Sequence, residues 1–234
     1  FRSEKGSVNI GNVATAHRDL LRADAILIHD GPRHASEKPT LVFGNRGNTT
    51  VRLTVYGPRN ELHSGHYGNW APDTGNILAH LLASMKDDDG QVLVDGWYET
   101  VEPIGEEEQR ALAAMPDWDH ELRRELGLAR TEGEPQKLPE RLLVPALNVR
   151  GITSGNTGSL ARNVIPNTAV ASLGIRMVKG NTATQLRQLI VDHIERQGFH
   201  IVEDDPDMET RLRYPRIAKV TGGMSGSIAA RTSM

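Results

Sequence analysis

Two stretches of the chain alternate between apolar and polar positions, the period of a half-buried strand. In Thr49 to Tyr56, Val51, Leu53 and Val55 alternate with Arg52, Thr54 and Tyr56. In Ala169 to Val178, one face carries Ala169, Ala171, Leu173 and Ile175, and the other carries Val170, Ser172, Gly174 and Arg176. Two other stretches have a helical period. Asp73 is placed to cap a helix whose inner stripe is Ile77, Leu78, Leu81, Leu82 and Met85, ending at the acidic turn Asp87-Asp88-Asp89-Gly90. Thr182, with Gln185 three residues on, opens a second stripe of Leu186, Leu189, Ile190 and Ile194, and Gly198 closes it. Thr40 to Phe43, Leu142 to Ile152 and Phe199 to Val202 read as further strands, and Gln91 to Val94 as a short one. The order predicts an α+β layer: antiparallel strands with two long helices covering one face of a single sheet.

The first residues follow a different pattern. Ile10, Val13, Ala14, His17, Leu20 and Leu21 share one helical face between Asn9 and Arg22. The continuous apolar run Ala25 to Ile28 then ends at His29-Asp30-Gly31-Pro32. A helix leading into a buried strand suggests an α/β unit, with its polar residues at the strand's C-terminal end. Gly31 to Pro39 reads as a linker. Gly105 to Gly133, rich in Glu, Arg and Ala, predicts two short solvated helices anchored by Trp118. Phe1 and Met234 read as cuts through a longer protein.

Composition narrows the functional classes. The chain has 234 residues, 38% hydrophobic and 24% charged, with 27 Lys and Arg against 30 Asp and Glu for a net charge of −3. That balance offers no broad cationic surface for nucleic acid. No apolar run approaches the ~20 residues of a membrane helix and no signal peptide opens the chain. No membrane partner is expected, and the location is read as cytoplasmic. With no cysteine, disulfides and thiolate metal sites are excluded, leaving His, Asp and Glu as the strong ligands.

Three polar clusters could carry chemistry. Leu62-His63-Ser64-Gly65-His66-Tyr67-Gly68 places two imidazoles and two glycines where a strand gives way to a loop. Imidazole can bind a metal, shuttle a proton or donate to an oxyanion, and glycine admits close backbone approach. The competing reading is a polar turn with solvated histidines. Glu4, followed by Gly6-Ser7, and Asp30 could share a divalent cation, or be a surface Glu and a loop Asp. Arg162-Asn163-Val164-Ile165-Pro166 precedes the strand bearing Arg176, whose small neighbours suit a bidentate grip on a carboxylate. Arg176 could equally be a sheet-surface arginine paired with a nearby acid.

Taken in order, these pieces resemble the dinuclear zinc metallopeptidases that include carnosinases, aminoacylases, succinyl-diaminopimelate desuccinylases and glutamate carboxypeptidases. Ser3-Glu4-Lys5-Gly6-Ser7 is similar to the end of that family's Glu-Glu-x-Gly-Ser motif, and Ile28-His29-Asp30 to its strand-end metal Asp. Tyr56-Gly57-Pro58 through Leu62-His63-Ser64-Gly65 resembles its dimerisation-domain histidine motif. Asn163-Val164-Ile165-Pro166 through Ile175-Arg176 resembles its substrate-contacting pair, and Asp95-Gly96-Trp97-Tyr98 a segment of carnosinase-like members.

The resemblance implies a ferredoxin-like lid at residues 40–205, an antiparallel four-stranded sheet with two helices on one face, inserted in an α/β catalytic domain. Residues 1–39 would be the end of its first segment and 206–234 the start of its return. It implies a homodimer through the lid, with His63 reaching the partner subunit's active site to polarise the scissile carbonyl. Asn163 and Arg176 would orient a small peptide or N-acyl amino acid, and Glu4 and Asp30 would bind metal in a pair of Zn²⁺ ions held by the full-length enzyme. His66 is read as a loop residue beside the site. Ser3 stands where the family has its catalytic Glu, and a serine hydroxyl has no suitable pKa to deprotonate metal-bound water. With only Glu4 and Asp30 of that family's metal ligands matched, and a catalytic zinc usually needing three protein ligands and an open position, the chain by itself is expected to be metal-free and inactive. The parent reads as a hydrolase of dipeptides or N-acyl amides, or alternatively as a non-catalytic dimerisation module or pseudo-enzyme lacking its base.

Overall fold

The computed structural model describes residues 9–23 and 44–231, together with 38, 40 and 42. The chain divides after Thr40 into two units. In the first, α1 spans Ile10–Ala16, shorter than the periodicity to Arg22 suggested. Asn9 caps it without a side-chain hydrogen bond and Gly11 sits in its first turn, so little local energy prolongs the helix. The expected strand Ala25 to Ile28 lies outside the described residues, as do Ser3, Glu4 and Asp30.

In the second unit, β1 (Gly44–Asn45) pairs with β9 (Ala230–Arg231) near the end of the chain. Then follow β2 (Gly47–Tyr56), β3 (Leu62–His63), α2 (Ser64–Tyr67) and α3 (Thr74–Ala83). A long excursion carries α4 (Glu106–Ala114), α5 (Asp119–Leu126) and α6 (Leu138–Arg141). The chain returns through β4 (Ala146–Thr153), β5 (Val164–Ile165), β6 (Thr168–Met177), α7 (Ala183–Arg196), β7 (His200–Val202), α8 (Met208–Arg213) and β8 (Ile217–Gly222).

The principal sheet has the order β4-β6-β2-β8-β7. β2 and β6 run antiparallel in continuous register from Gly47 opposite Met177 to Tyr56 opposite Thr168. Burial along β6 alternates residue by residue up to Arg176, as the sequence alternation requires. Val51, Leu53 and Val55 pack with Ala171, Leu173 and Ile175 in one core with Leu78, Leu81 and Met85 from the α3 segment and Leu186, Ile190 and Ile194 of α7. Both helices therefore lie on one face. Asp73 caps α3 by accepting from the Gly75 and Asn76 amides, and Thr182 caps α7 by accepting from the Gln185 amide at 3.2 Å. Gln185 does not complete a capping box; its side-chain oxygen accepts from Thr100.

The sheet has five strands rather than the four expected, and one pair, β7 with β8, is parallel. After α7 the chain lays down only β7 at the edge. It then turns through α8 and inserts β8 between β7 and β2. β8 falls within residues 206–234, which the sequence reading assigned to a returning catalytic segment. Two other expectations shift. Leu142 begins no strand because it caps α6, so β4 starts at Ala146. Gln91 to Val94 makes only a single bridge, Val92 to Lys86. Trp97, ahead of α4, is deeply buried: it is 1% exposed and its indole N–H donates to the Pro145 carbonyl, while Trp118 is half-buried at the N-cap of α5.

Candidate functional site

β3 and β5 form a small antiparallel ladder, with Leu62 opposite Ile165 and His63 opposite Val164. The Ser64 amide donates to the Asn163 carbonyl at 3.0 Å, so His63 and Asn163 are held side by side. The ladder is fastened to the main sheet, because the Gly57 amide donates to the Asn167 carbonyl. The buried Thr74 hydroxyl, at the start of α3, donates to the Pro166 carbonyl at 3.0 Å. At its outer end, Arg162 and Glu61 form an ion pair at 2.7 Å. It is largely exposed and adds little energy, but it joins the residues just before each short strand.

His63 also caps α2. Its Nδ1 accepts a hydrogen bond from the Gly65 amide at 3.1 Å. A neutral imidazole that accepts through Nδ1 carries its proton on Nε2, so the outward nitrogen of His63 is a donor. A side chain at residue 65 would put a Cβ 2.9 Å from the His63 Cε1, so the glycine after Ser64 is what lets the ring fold back onto the backbone. His66 lies against it, with ring centroids 4.6 Å apart. The aromatic row continues through Tyr67 to Trp70, which is 80% exposed.

Arg176 lies elsewhere. On β6 it stands opposite Asn48 of β2 and Ala146 of β4, on the face not covered by α3 and α7. Eight residues of extended chain separate it from Thr168, a rise of roughly 26 Å. Asn163, five residues before Thr168, belongs to the β3–β5 ladder beyond that end of β6, whereas Arg176 lies near the strand's other end. Arg176 has no acidic partner among the described residues, so the sheet-surface ion pair considered for it is not formed there. Its neighbour is another cation, Arg46. Burial and the Arg176 charge together hold the Arg46 guanidinium below its ordinary pKa. Arg46 donates through Nη2 to the Val144 carbonyl at 3.0 Å, and its buried Nε has no partner among the described residues. Sequence reading did not single out Arg46, because nothing in Gly44-Asn45-Arg46-Gly47 shows that its stem is covered.

Among the described residues no group of three or more His, Asp or Glu is gathered to hold a metal ion, and Glu4 and Asp30 lie outside them. The described residues alone therefore do not fit a metal centre. No helix among them is long and apolar enough to cross a membrane.

Residues 43–201 match the peptidase dimerisation domain of the M20 family. The chain is 27% identical over 195 residues to the Cys-Gly metallodipeptidase of Candida albicans, covering 82% of this chain and 40% of that protein. It is likewise 27% identical over 198 residues to human beta-Ala-His dipeptidase, covering 82% and 39%. The chain thus spans about two-fifths of the curated relatives it matches. Among solved structures it is similar to an M20 family metallo-carboxypeptidase from Sulfolobus solfataricus, with a TM-score of 0.73, 25% identity and coverage of 97% of this chain and 55% of that one. Human carnosine dipeptidase 1 shares the fold at a TM-score of 0.76 and 23% identity, covering 99% and 47%. The chain belongs to the M20 metallopeptidase family and carries that family's dimerisation domain.

Proposed function

We propose that this chain is the lid and dimerisation portion of a dipeptidase or N-acyl amino acid hydrolase, in which His63 of one subunit stabilises the oxyanion formed in the other. The hydrogen bond from the Gly65 amide to His63 Nδ1 carries this reading. It leaves Nε2–H facing outward as a preformed donor, the arrangement a tetrahedral intermediate requires. Asn163 is held beside His63 by the Ser64 amide, ready to orient the same substrate. Arg176 grips a substrate carboxylate with its two-pronged guanidinium.

The distance between the ends of β6 supports a site shared by two chains. Two extended residues span only about 7 Å, so one dipeptide cannot touch both ends of a strand roughly 26 Å long. In a two-fold dimer, Arg176 of one lid serves one active site while His63 and Asn163 of its partner complete it. β4 supplies an edge for such an assembly. It is terminal in the sheet, and Val149 and Ile152 on it are exposed, so edge-to-edge pairing satisfies its backbone groups. The parent is read as cytoplasmic, with residues 1–39 as a catalytic-domain segment and the lid running from residue 40 through β8, whose place between β7 and β2 moves the catalytic domain's return beyond the 206 expected from the sequence. Glu4 and Asp30 contribute to a pair of zinc ions whose other ligands lie outside this chain. The 234-residue chain is by itself inactive.

His63→Ala in the full-length enzyme tests the central step. Removing an oxyanion donor lowers kcat by about 10²–10³-fold, with KM little changed and metal content equal. Unchanged kcat sinks the oxyanion role. If the unsubstituted full-length protein is metal-free and inert, Ser3 marks lost catalysis, and the binding-module alternative replaces this reading.

A further inference from the structure

The open face of the sheet carries an unbalanced row of cations. β2, β4, β6 and β8 contain no Asp or Glu, yet they carry Arg52, Arg150, Arg176 and Lys219. Lys219 is satisfied at one end by Asp205. Arg52, Arg150 and Arg176 have no acidic partner among the described residues.

Arg150 is held in place by two features that serve no purpose in the core. First, β4 is irregular between Val149 and Gly151, with Arg150 as the extra residue. Such bulges re-aim side chains and are enriched beside functional sites. Second, Gly174 interrupts β6, where a glycine costs about 0.5–1 kcal/mol relative to alanine. A Cβ there would lie 2.5 Å from the Arg150 Cδ, so the arginine stem occupies the space the missing side chain vacates. The stem crosses β6 at that point and Nη1 donates to the Thr50 hydroxyl at 3.1 Å on β2. Thr50 is opposite Gly174, and Arg176 is two residues further along the same face. Arg52 lies two residues in the other direction, opposite Ser172. Two residues of strand rise about 7 Å, so the strand positions of Arg52 and Arg176 flank the point where the Arg150 stem crosses, and most of the Arg150 donors are unused.

We infer that Arg150, laid across Gly174 beside Arg176, forms a second anion-binding position, and that the enzyme selects substrates carrying a second carboxylate next to the one at the C-terminus. This rests on the peptidase reading above, with Arg176 holding the terminal carboxylate. The fitting substrate class is a dipeptide or N-acyl amide ending in glutamate. A monocarboxylate engages Arg176 alone and leaves the Arg150 charge unanswered.

Two measurements test it. In the first, the protein is titrated with glutarate and separately with butyrate, following the Nε–Hε resonances of Arg52, Arg150 and Arg176. Glutarate is expected to bind about tenfold more tightly, the scale of one added charge-assisted pair, and Arg150→Gln is expected to erase the difference. Gly174→Val, which displaces the Arg150 stem without removing its charge, is expected to do the same. Equal affinities in the unsubstituted protein, or a preference that survives both substitutions, overturns the inference. In the second, kcat/KM of the full-length enzyme is compared for Ala-Glu and Ala-Gly. Arg150→Gln is expected to lower only the former, by about tenfold. Equal turnover of both dipeptides overturns the inference. If neither is hydrolysed while glutarate retains its advantage, the peptidase reading fails and the anion position stands.

Discussion

The two faces of the principal sheet come from the same strands and follow opposite rules. Facing α3 and α7, Val51, Leu53, Ala171 and Leu173 are at most 1% exposed and fill one continuous core. On the other face, in alternate positions of the same strands, lie Thr50, Arg52, Ser172, Gly174 and Arg176. The first face is optimised for apolar area and shape, and accepts no charge. The second tolerates a mid-strand glycine, a bulge and clustered guanidiniums, none of which improves stability. Fold and chemistry are therefore separable by parity along β2 and β6. Substitutions on the covered face should act on stability, and those on the open face on ligands.

The sharpest way to break this comparison is Leu53→Ala. Leu53 is fully buried at the centre of β2, so the lost transfer energy and the cavity together cost about 2–5 kcal/mol, read as a shift in urea midpoint at constant m. A loss under about 1 kcal/mol would mean that the covered face is not the stabilising one.

A second effect, bounded by one proton at about 1.4 kcal/mol per pH unit, is expected from His193. It is 5% exposed on the covered side of α7, and its Nε2 lies 2.9 Å from the Ser84 hydroxyl, just after α3. Burial, and then the Arg196 charge, lower its pKa, while Asp95 opposes them. A base with a depressed folded pKa is neutral in the native state while the unfolded chain still binds the proton. Its contribution is complete above the unfolded value of about 6.5 and is lost as pH falls below it. His193→Gln should flatten that acid limb, measured by urea unfolding at pH 7.5 and 5.5. Parallel pH profiles would remove His193 as the cause.

The capping carboxylate of α3 is a smaller lever. Asp73→Ala removes the acceptor of two amides and should cost about 1 kcal/mol. Asp73→Asn should restore most of it, since an amide oxygen caps nearly as well.

The two faces also differ in how legible they were. The covered face could be read from the sequence: the alternation of Val51, Leu53 and Val55, the stripes of α3 and α7, and the Asp73 and Thr182 caps all reappear, because burial and capping act over a few residues. β8 was missed because Ile217-Ala218-Lys219-Val220-Thr221-Gly222 alternates too briefly to stand out, and its place depends on pairing with β2 about 165 residues away. The His63 motif was visible as a local string. The separation of Asn163 from Arg176 was not, since the distance depends on β6 running straight between them. The crossing of Arg150 over Gly174 was hidden for the same reason: a bulge is set by the register of two strands, and Arg150 alone looks like any exposed arginine.

That crossing yields the smallest prediction and the finest test of the comparison. Gly174→Ala ought to stabilise a strand by about 0.5–1 kcal/mol, because alanine loses less backbone freedom on folding. Here the new Cβ competes with the Arg150 stem, 2.5 Å away. The stem can swing into solvent, but only by giving up its bond to Thr50 and its packing across β6. In the native background the gain should therefore be largely cancelled. In an Arg150→Ala background the space is free and the full gain should appear. The difference between the two, a double-mutant coupling of about 0.5 kcal/mol or more, isolates the contest for that space. If Gly174→Ala stabilises both backgrounds equally, the glycine does not seat the arginine, and the β4 bulge alone is left to distinguish a built position from a scatter of surface charge.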